Sequence, residues 1–398
     1  MGKDLKGKNL GKGFSQRKDG RYEARGVVNG VKIDIYDKSL TKLKKKYENA
    51  KAKLLCGQTY GAPKITLEEW YKRWFEVYKS PQLKSTVSRK IYDRKTRNTF
   101  IKLLGSKYMS DITQENIQVA ANELSERGYQ ERTIREAIGV LRECFDIAII
   151  NKIVDFNPCV SIAVQEKHTQ VKRRVLSKKE QDLFLNEVKD SYYYEPYAIL
   201  LLTGMRIGEF SGLQWQDVDF EKKEIHISRS LSTGYYDGKK IEELTAPKTS
   251  CSYRDIPFFG ETEGLFKSWK KKQDEIKKQL GDRWRANPEL GDLVFTSTVG
   301  SPMTRYVIVH DINKVVENIN KREFYTACKE GREPVVFEHL HPHAFRHTFA
   351  TRCFEKKMDP LFVQKIMGHA DYNVTLSYTH VLDDVKEEET AKVGNFLD

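Results

Sequence analysis

Tyr378 stands nine residues after His369, which itself follows the run His343-Ala344-Phe345-Arg346. These residue types in this order point to cleavage of a phosphodiester by a tyrosine nucleophile. An incoming nucleophile meets the negative charge of a phosphate diester, and further charge gathers on the equatorial oxygens as the pentavalent state forms. Arginine answers both difficulties, because its planar fork pairs two phosphate oxygens and stays charged at any working pH. Arg346 is one such residue. The second stands in Leu201-Leu202-Thr203-Gly204-Met205-Arg206-Ile207-Gly208-Glu209, where an apolar run ends at Gly204 and a new helix is expected to begin. That places Arg206 among unpaired helix N–H groups, which also favour a phosphate. Glu209, three residues on, has the spacing to steady the arginine from the same helical face. Between the arginines, Ala246-Pro247-Lys248-Thr249 and Ser252-Tyr253-Arg254-Asp255-Ile256-Pro257 read as two short strands around a turn, with Lys248 at its tip. Breaking a phosphodiester expels an alkoxide of high pKa, so a positioned acid such as this lysine has a purpose.

Arg, Lys, His-x-x-Arg, His and Tyr in this order resemble the tyrosine recombinase (integrase) family. The matching pieces are Thr203-Gly204-Met205-Arg206-Ile207-Gly208-Glu209, Pro247-Lys248-Thr249, His341-Pro342-His343-Ala344-Phe345-Arg346-His347-Thr348-Phe349-Ala350-Thr351, Met367-Gly368-His369 and Ser377-Tyr378-Thr379-His380. No position of the set Arg206, Lys248, His343, Arg346, His369 and Tyr378 is substituted. A basic N-terminal module makes the chain most similar to integrases of conjugative transposons.

The resemblance implies that Tyr378 attacks the scissile phosphate, forms a 3′-phosphotyrosyl bond and releases a 5′-hydroxyl. His343 is then the candidate proton acceptor and Lys248 the candidate acid, while Arg206, Arg346 and His369 hold the phosphate. The covalent bond keeps the energy of the broken diester, so neither ATP, a metal ion nor another cofactor is called for. The family also implies double-stranded DNA bound at core and arm sites and a homo-tetramer on DNA. Direction between integration and excision must then come from architecture, with the basic N-terminal module binding a second, distant DNA site, and an excisionase or a host DNA-bending protein is a further candidate partner. A type IB topoisomerase and a non-catalytic DNA-binding regulator are the rival readings. The basic module argues against the first, and the unbroken set of six argues against the second.

Charge supports a polyanionic partner. The 398-residue chain carries a formal net charge of +13, and residues 1–64 alone hold 17 Lys/Arg against 6 Asp/Glu, a net of +11. Phosphate neutralisation releases counterions and dominates non-specific affinity for nucleic acid. The six cysteines form no C-x-x-C pair and read as reduced, mostly buried residues. No run approaches the roughly 20 apolar residues of a membrane span, so a cytoplasmic protein without membrane contact is expected. The histidines at 339, 341, 343 and 347 lack the cysteine or carboxylate partners of a familiar zinc shell. His341 and His347 are read as structural.

The elements that position these residues follow from pattern. Asp19-Gly20 and Asn29-Gly30 separate three strand-like runs within residues 14–36, and Leu43, Tyr47, Ala50 and Leu54 then form one helical stripe. A small sheet backed by a helix results, with Arg21 and Arg25 on a polar face suited to the DNA major groove. Breakers at Gly57–Lys64 mark a linker, and Thr66-Leu67-Glu68-Glu69 has capping-box spacing. Helices are expected near 84–104, 113–127 and 130–152, with Ile134, Ile138, Leu141, Phe145 and Ile149 of the last facing a core. Lys84, Arg89, Lys90, Arg94, Lys95 and Arg97 fall in one stretch suited to phosphate contact. The expected architecture is multidomain. An α+β arm-site module (1–64) precedes an all-α core-binding domain (65–168) and a mainly α catalytic domain with a small sheet and a C-terminal tail (175–398).

Overall fold

The computed structural model describes residues 2–55, 64–83, 85–165, 174–236, 238–247, 250–372 and 375. The chain divides into two compact units, residues 1–84 with 88–169, and residues 170–398 with 85–87.

In the first unit, strands β1 (Gly2–Lys3) and β2 (Asn9–Gly11) pair, and β3 (Phe14–Gln16), β4 (Tyr22–Val28) and β5 (Val31–Asp37) form an antiparallel sheet in that order. The register of β4 and β5 pairs Val28 with Val31, so the loop is the two residues Asn29 and Gly30. Both have positive φ, 48° and 78°, the twist that a two-residue hairpin needs and that Asn and Gly tolerate. Helix α1 (Leu40–Leu55) lays Leu43, Ala50 and Leu54 inward. Glu23, expected on the polar face of β4, is instead only 8% exposed and is paired with Arg25 and Ser15. The expected linker and Cys56 fall on residues 56–63, outside the described residues.

Thr66 caps α2 (Leu67–Trp74) through a reciprocal box with Glu69, and a π-helical turn carries the chain on through Phe75–Lys79. Helix α3 (Thr86–Thr96) passes through a second π turn, Arg97–Ile101, into α4 (Lys102–Leu104). Helices α5 (Gln114–Glu126) and α6 (Glu131–Ile150) complete the group. On α6 the inward stripe is Ile134, Ile138, Leu141, Phe145 and Ala148, whereas Ile149 is 36% exposed. A repeat of 3.6 residues per turn reaches the core again at 148, and 149 has rotated off the stripe. The indole N–H of buried Trp70 donates to the Cys144 carbonyl at 3.1 Å, which satisfies the one polar atom that large ring carries inside.

In the second unit, Ser177 and Glu180 cap α7 (Lys178–Val188), and the apolar α8 (Tyr194–Thr203) is buried almost all round. It ends at Gly204, φ 59°, where a Cβ would stand 2.3 Å from the Phe349 ring. Only glycine fits both demands. Next come α9 (Ile207–Gly212) and the strands β6 (Val218–Asp219), β7 (Glu224–Ile227), β8 (Ser230–Tyr236), β9 (Lys239–Thr245) and β10 (Arg254–Pro257). One sheet has the order β10-β7-β6, and β8 and β9 form a separate ribbon. The two runs expected to flank Lys248 are therefore not hairpin partners. Residues 246 and 247 lie in no strand, and β10 finds its partner in β7, where Ile256 sits opposite Ile225 and both are fully buried.

The highly charged helix α10 (Thr262–Leu280) is not wholly solvated, because it buries Phe266, Trp269 and Gln273. Gln273 accepts from the Trp215 indole at 2.8 Å, and Trp269 donates to the Val294 carbonyl at 2.6 Å. Helices α11 (Arg305–Glu330), α12 (Pro342–Glu355) and α13 (Pro360–Met367) complete the unit. Phe345 of α12 stacks on Tyr197 of α8 with centroids 5.6 Å apart, and meets Phe184 edge-on at 5.3 Å. Cys144, Cys159 and Cys353 are buried and free, with burial pushing the thiols of Cys159 and Cys353 up to about 12, while Cys251 and Cys328 are exposed and free. Among the described residues no helix is long and apolar enough to cross a membrane.

Candidate active site

Arg206 occupies the boundary between Gly204 and α9, with extended backbone (φ −68°, ψ 145°). Its backbone N–H donates to Glu209 Oε2 at 2.9 Å and its guanidinium to Glu209 Oε1 at 2.8 Å. The expected i,i+3 support is thus present in both backbone and side chain. A second donor of the same guanidinium goes to the Gly368 carbonyl. Arg346, 5% exposed, projects from α12 and donates to the Gly204 carbonyl at 2.8 Å and to the Met367 carbonyl. The last carbonyls of a helix have no partner within it. Here those at the end of α13 are taken by arginines that arrive from distant parts of the chain.

Gly368, φ 64°, ends α13 in the left-handed conformation and turns the chain into His369. The His369 N–H donates to the Gln364 carbonyl at 3.2 Å, and its Nδ1 lies 2.8 Å from the hydroxyl of fully buried Thr375. Arg206, Arg346 and His369 are therefore brought together around Met367-Gly368. His343 lies one turn before Arg346 on α12 and is solvent-exposed on one side, but protein crowds its ring. That desolvation, followed by the charges of Arg346, Arg305, His341 and Arg206, lowers its pKa below the ordinary 6.5. His341 and His347 meet edge-on, centroids 6.3 Å apart. Arg352, without an assigned part in the sequence, donates to the Leu176 carbonyl and pairs with Glu355. Lys248 and Tyr378 lie outside the described residues, as do Asn373 and the tail beyond 380.

One residue of this network escaped the sequence reading. Arg254 on β10 is buried with its neighbour-but-one Ile256, and it pairs with Glu209 through both oxygens, at 3.0 and 2.8 Å. The available signal was its phase, since an arginine in step with a core isoleucine on a strand points inward and must find a carboxylate. Burial pushes the Glu209 carboxyl up, but the hydrogen bond and charge of Arg254, followed by Arg206, overcome this and hold it at about 2.

Among the described residues the group that could ligate a metal is Asp219, Glu224 and His226 on the β6–β7 sheet, not the histidines at 339–347. The proposed DNA-contact residues are already engaged to differing degrees. Arg21 pairs with Asp19 at 2.7 Å and Arg25 with Glu23 at 2.9 Å. Arg89 donates to the Leu83 carbonyl, Lys95 pairs with Glu136, and Arg97 pairs with Asp93 at 2.8 Å. Lys90 is half-buried, Arg94 is exposed, and Lys84 lies outside the described residues.

Comparison with known proteins gives this geometry a lineage. The model of the phage integrase family matches residues 174–384, more than half of the chain. The chain belongs to the phage integrase family. A second model, the N-terminal SAM-like domain of phage integrases, matches residues 66–125. The chain is 27% identical to the transposase from transposon Tn916 of Enterococcus faecalis over 401 residues, covering 94% of this chain and 92% of the relative. It is 26% identical to a tyrosine recombinase XerC-like protein of Caldanaerobacter subterraneus subsp. tengcongensis, covering 97% and 92%. Among solved structures, the Tn1549 transposon integrase in complex with a circular intermediate DNA aligns with a TM-score of 0.64 and 25% identity, covering 82% of this chain and 99% of that one. This phage-integrase chain is thus a tyrosine recombinase of the conjugative-transposon type, an enzyme that cleaves and rejoins DNA. Its fold is an N-terminal SAM-like domain followed by a mostly helical catalytic region with small sheets.

Proposed function

We propose that this recombinase integrates and excises a mobile element by exchanging strands between two specific duplexes, with Tyr378 as nucleophile. The observation that carries the reading is the convergence of Arg206 and Arg346 on the adjacent carbonyls of Gly368 and Met367, beside His369. Two guanidiniums held that close bring two positive charges to a single phosphate. The phenol of Tyr378 gives its proton to His343 and its oxygen bonds to phosphorus, forming the 3′-phosphotyrosyl bond. Lys248 protonates the departing 5′-oxygen, and His369 donates to a phosphate oxygen. Attack by a 5′-hydroxyl from the partner duplex reverses each transfer. Two duplexes have four strands to cut and each cut consumes one tyrosine, so a homo-tetramer on DNA is the matching assembly.

Residues 65–168 take the core site together with the catalytic region 175–398, through Arg89, Lys90, Arg94, Lys95, Arg97 and Lys84. Residues 1–64 take a separate arm site through Arg21 and Arg25, whose own side chains are 51% and 64% exposed and can turn from their carboxylate partners to phosphates. Binding of the second, distant site by the N-terminal module sets direction, an excisionase or a host DNA-bending protein is a candidate partner in it, and the reaction takes place in the cytoplasm with the DNA. The deciding experiment is an incubation with labelled recombination sites on supercoiled DNA. Strand exchange is expected; relaxation alone would identify a topoisomerase, and binding alone a regulator.

The two DNA-binding parts give a further expectation. A fragment of residues 1–64 should protect one sequence near the element's ends and the fragment 65–398 another, with the affinity of the first falling steeply as salt rises because of its net charge of +11. Identical footprints would refute the division of labour.

The depressed pKa of His343 sets the pH response. An acceptor must be neutral, and a group whose folded pKa lies below 6.5 stays neutral down to that lower value. Adduct formation under single-turnover conditions should therefore hold level as pH falls from 8 through 6.5 and decline only below it. An inflection at or above 6.5 that vanishes in His343→Gln would contradict the placement.

A further inference from the structure

Arg206, Arg254 and Arg346 end on three consecutive carbonyls, those of Gly368, Ile366 and Met367. Arg254 differs from the other two in what else it does. Its side chain is 2% exposed against 33% for Arg206, and it takes both oxygens of Glu209, itself 4% exposed. It also donates to the Ser252 carbonyl at 3.1 Å. Enclosure alone does not separate it from Arg346, which is 5% exposed, but Arg346 meets the neutral carbonyls of Gly204 and Met367 whereas Arg254 meets both oxygens of a carboxylate, which places it to serve Glu209 and not a phosphate.

Charge shows why it is needed. Glu209 orients Arg206 by two hydrogen bonds, but a lone carboxylate facing a lone guanidinium also cancels its charge. With Arg254 present the three groups sum to +1, and the buried carboxylate is balanced by the buried arginine. Arg206 is then aimed without being neutralised. The stem of Arg254 lies against Gly368, where an added Cβ would stand 3.0 Å from Arg254 Cδ and 3.0 Å from the Cys251 carbonyl oxygen. The bare backbone before His369 is what admits the arginine.

We propose that Arg254 is a positioning residue for strand cleavage, which takes the charge of Glu209 so that Glu209 can orient Arg206 while leaving its positive charge for the scissile phosphate. This rests on the reading of Arg206 as a phosphate ligand.

The test uses the full-length protein and nicked core-site DNA that traps the covalent adduct, with the scissile phosphate either ordinary or replaced by an uncharged methylphosphonate. Arg254→Met is expected to slow adduct formation on the ordinary phosphate roughly 100-fold, the loss typical when a donor to a developing oxyanion is disabled. On the neutral phosphate, which makes little demand on positive charge, the deficit should shrink about tenfold or more. The double variant E209Q/R254M returns an uncancelled charge to Arg206 and strands no buried ion, so it should cleave faster than R254M. A rate for R254M within about threefold of the wild type, equal deficits on both phosphates, or a double variant as slow as the single one would overturn the proposal. Should R254M fail to fold, Arg254→Lys and the double variant carry the same comparison. Lys keeps the charge facing Glu209, so it should retain most of the rate on the charged phosphate and exceed the double variant only slightly or not at all on the neutral one, and a loss of roughly 100-fold confined to the charged phosphate would again overturn it. Arg206→Ala, run in parallel, separates the two ideas. If it cleaves normally, the reading of Arg206 itself fails; if it is dead while R254M is normal, only the part given to Arg254 fails.

Discussion

Tyr378→Phe should bind its DNA sites as the native chain does and form no covalent adduct. The substitution removes one oxygen, and that oxygen is the only atom through which this residue can bond to phosphorus. An unperturbed phenol has a pKa of about 10, so at neutral pH it must lose its proton during attack, and phenylalanine has neither proton nor lone pair to offer. The expected loss is complete rather than partial, because water brought in by the remaining residues would hydrolyse DNA and leave no protein attached. Denaturing gels of labelled DNA with each protein, together with footprints of the uncleaved complex, make the measurement. The native chain should continue to cleave in excess chelator if, as proposed, Arg206, Arg346 and Lys248 supply the positive charge. Adduct from Tyr378→Phe, or cleavage that stops with chelator, would require a different nucleophile or a metal-assisted reaction.

Arg346→Ala should lose both activity and stability, and the two losses have separate causes. Removing a charged donor to the developing phosphorane costs about 10²- to 10³-fold in rate. Arg346 is also a buried bridge between the Gly204 and Met367 carbonyls. Each carbonyl left without its donor costs roughly 1 to 3 kcal/mol. Arg346→Lys keeps the charge but has no fork to span two carbonyls, so it should recover part of the rate and little of the stability. Single-turnover cleavage and urea unfolding, measured on the same preparations, resolve the pair of effects. A well-folded Arg346→Ala that cleaves within about tenfold of the native rate would remove Arg346 from the phosphate site.

Features set by neighbours in sequence were the legible ones. The capping box at Thr66, the Asn29-Gly30 turn and the pairing of Arg206 with Glu209 each depend on residues no more than three apart. What depended on distant partners was not legible. The mate of β10 is β7 rather than the nearer β9, because burying Ile256 against Ile225 outweighs proximity along the chain. Arg254 is 45 residues from Glu209 and 112 from Ile366, and nothing local announces either bond. The exposure of Ile149 was a smaller miss of a different kind, since a three-and-four spacing extended over four turns drifts off the true helical face. Burial of Glu23 came from ion pairing within the small sheet, which an alternation of polar and apolar residues does not encode.

The order in which the chain is made bears on when it can first act. Synthesis runs from the N-terminus, and compact units fold as they emerge. Arg206, Arg254 and Arg346 all leave the ribosome before the carbonyls of residues 366–368 that hold their guanidiniums. Until that last turn of α13 is in place, Arg206 and Arg254 share only Glu209, and Arg346 lacks the Met367 carbonyl beside theirs. A chain still being translated is therefore basic well before its arginines are set, and the carbonyls that set them, at residues 366–368, precede Tyr378 in the order of synthesis by only ten residues.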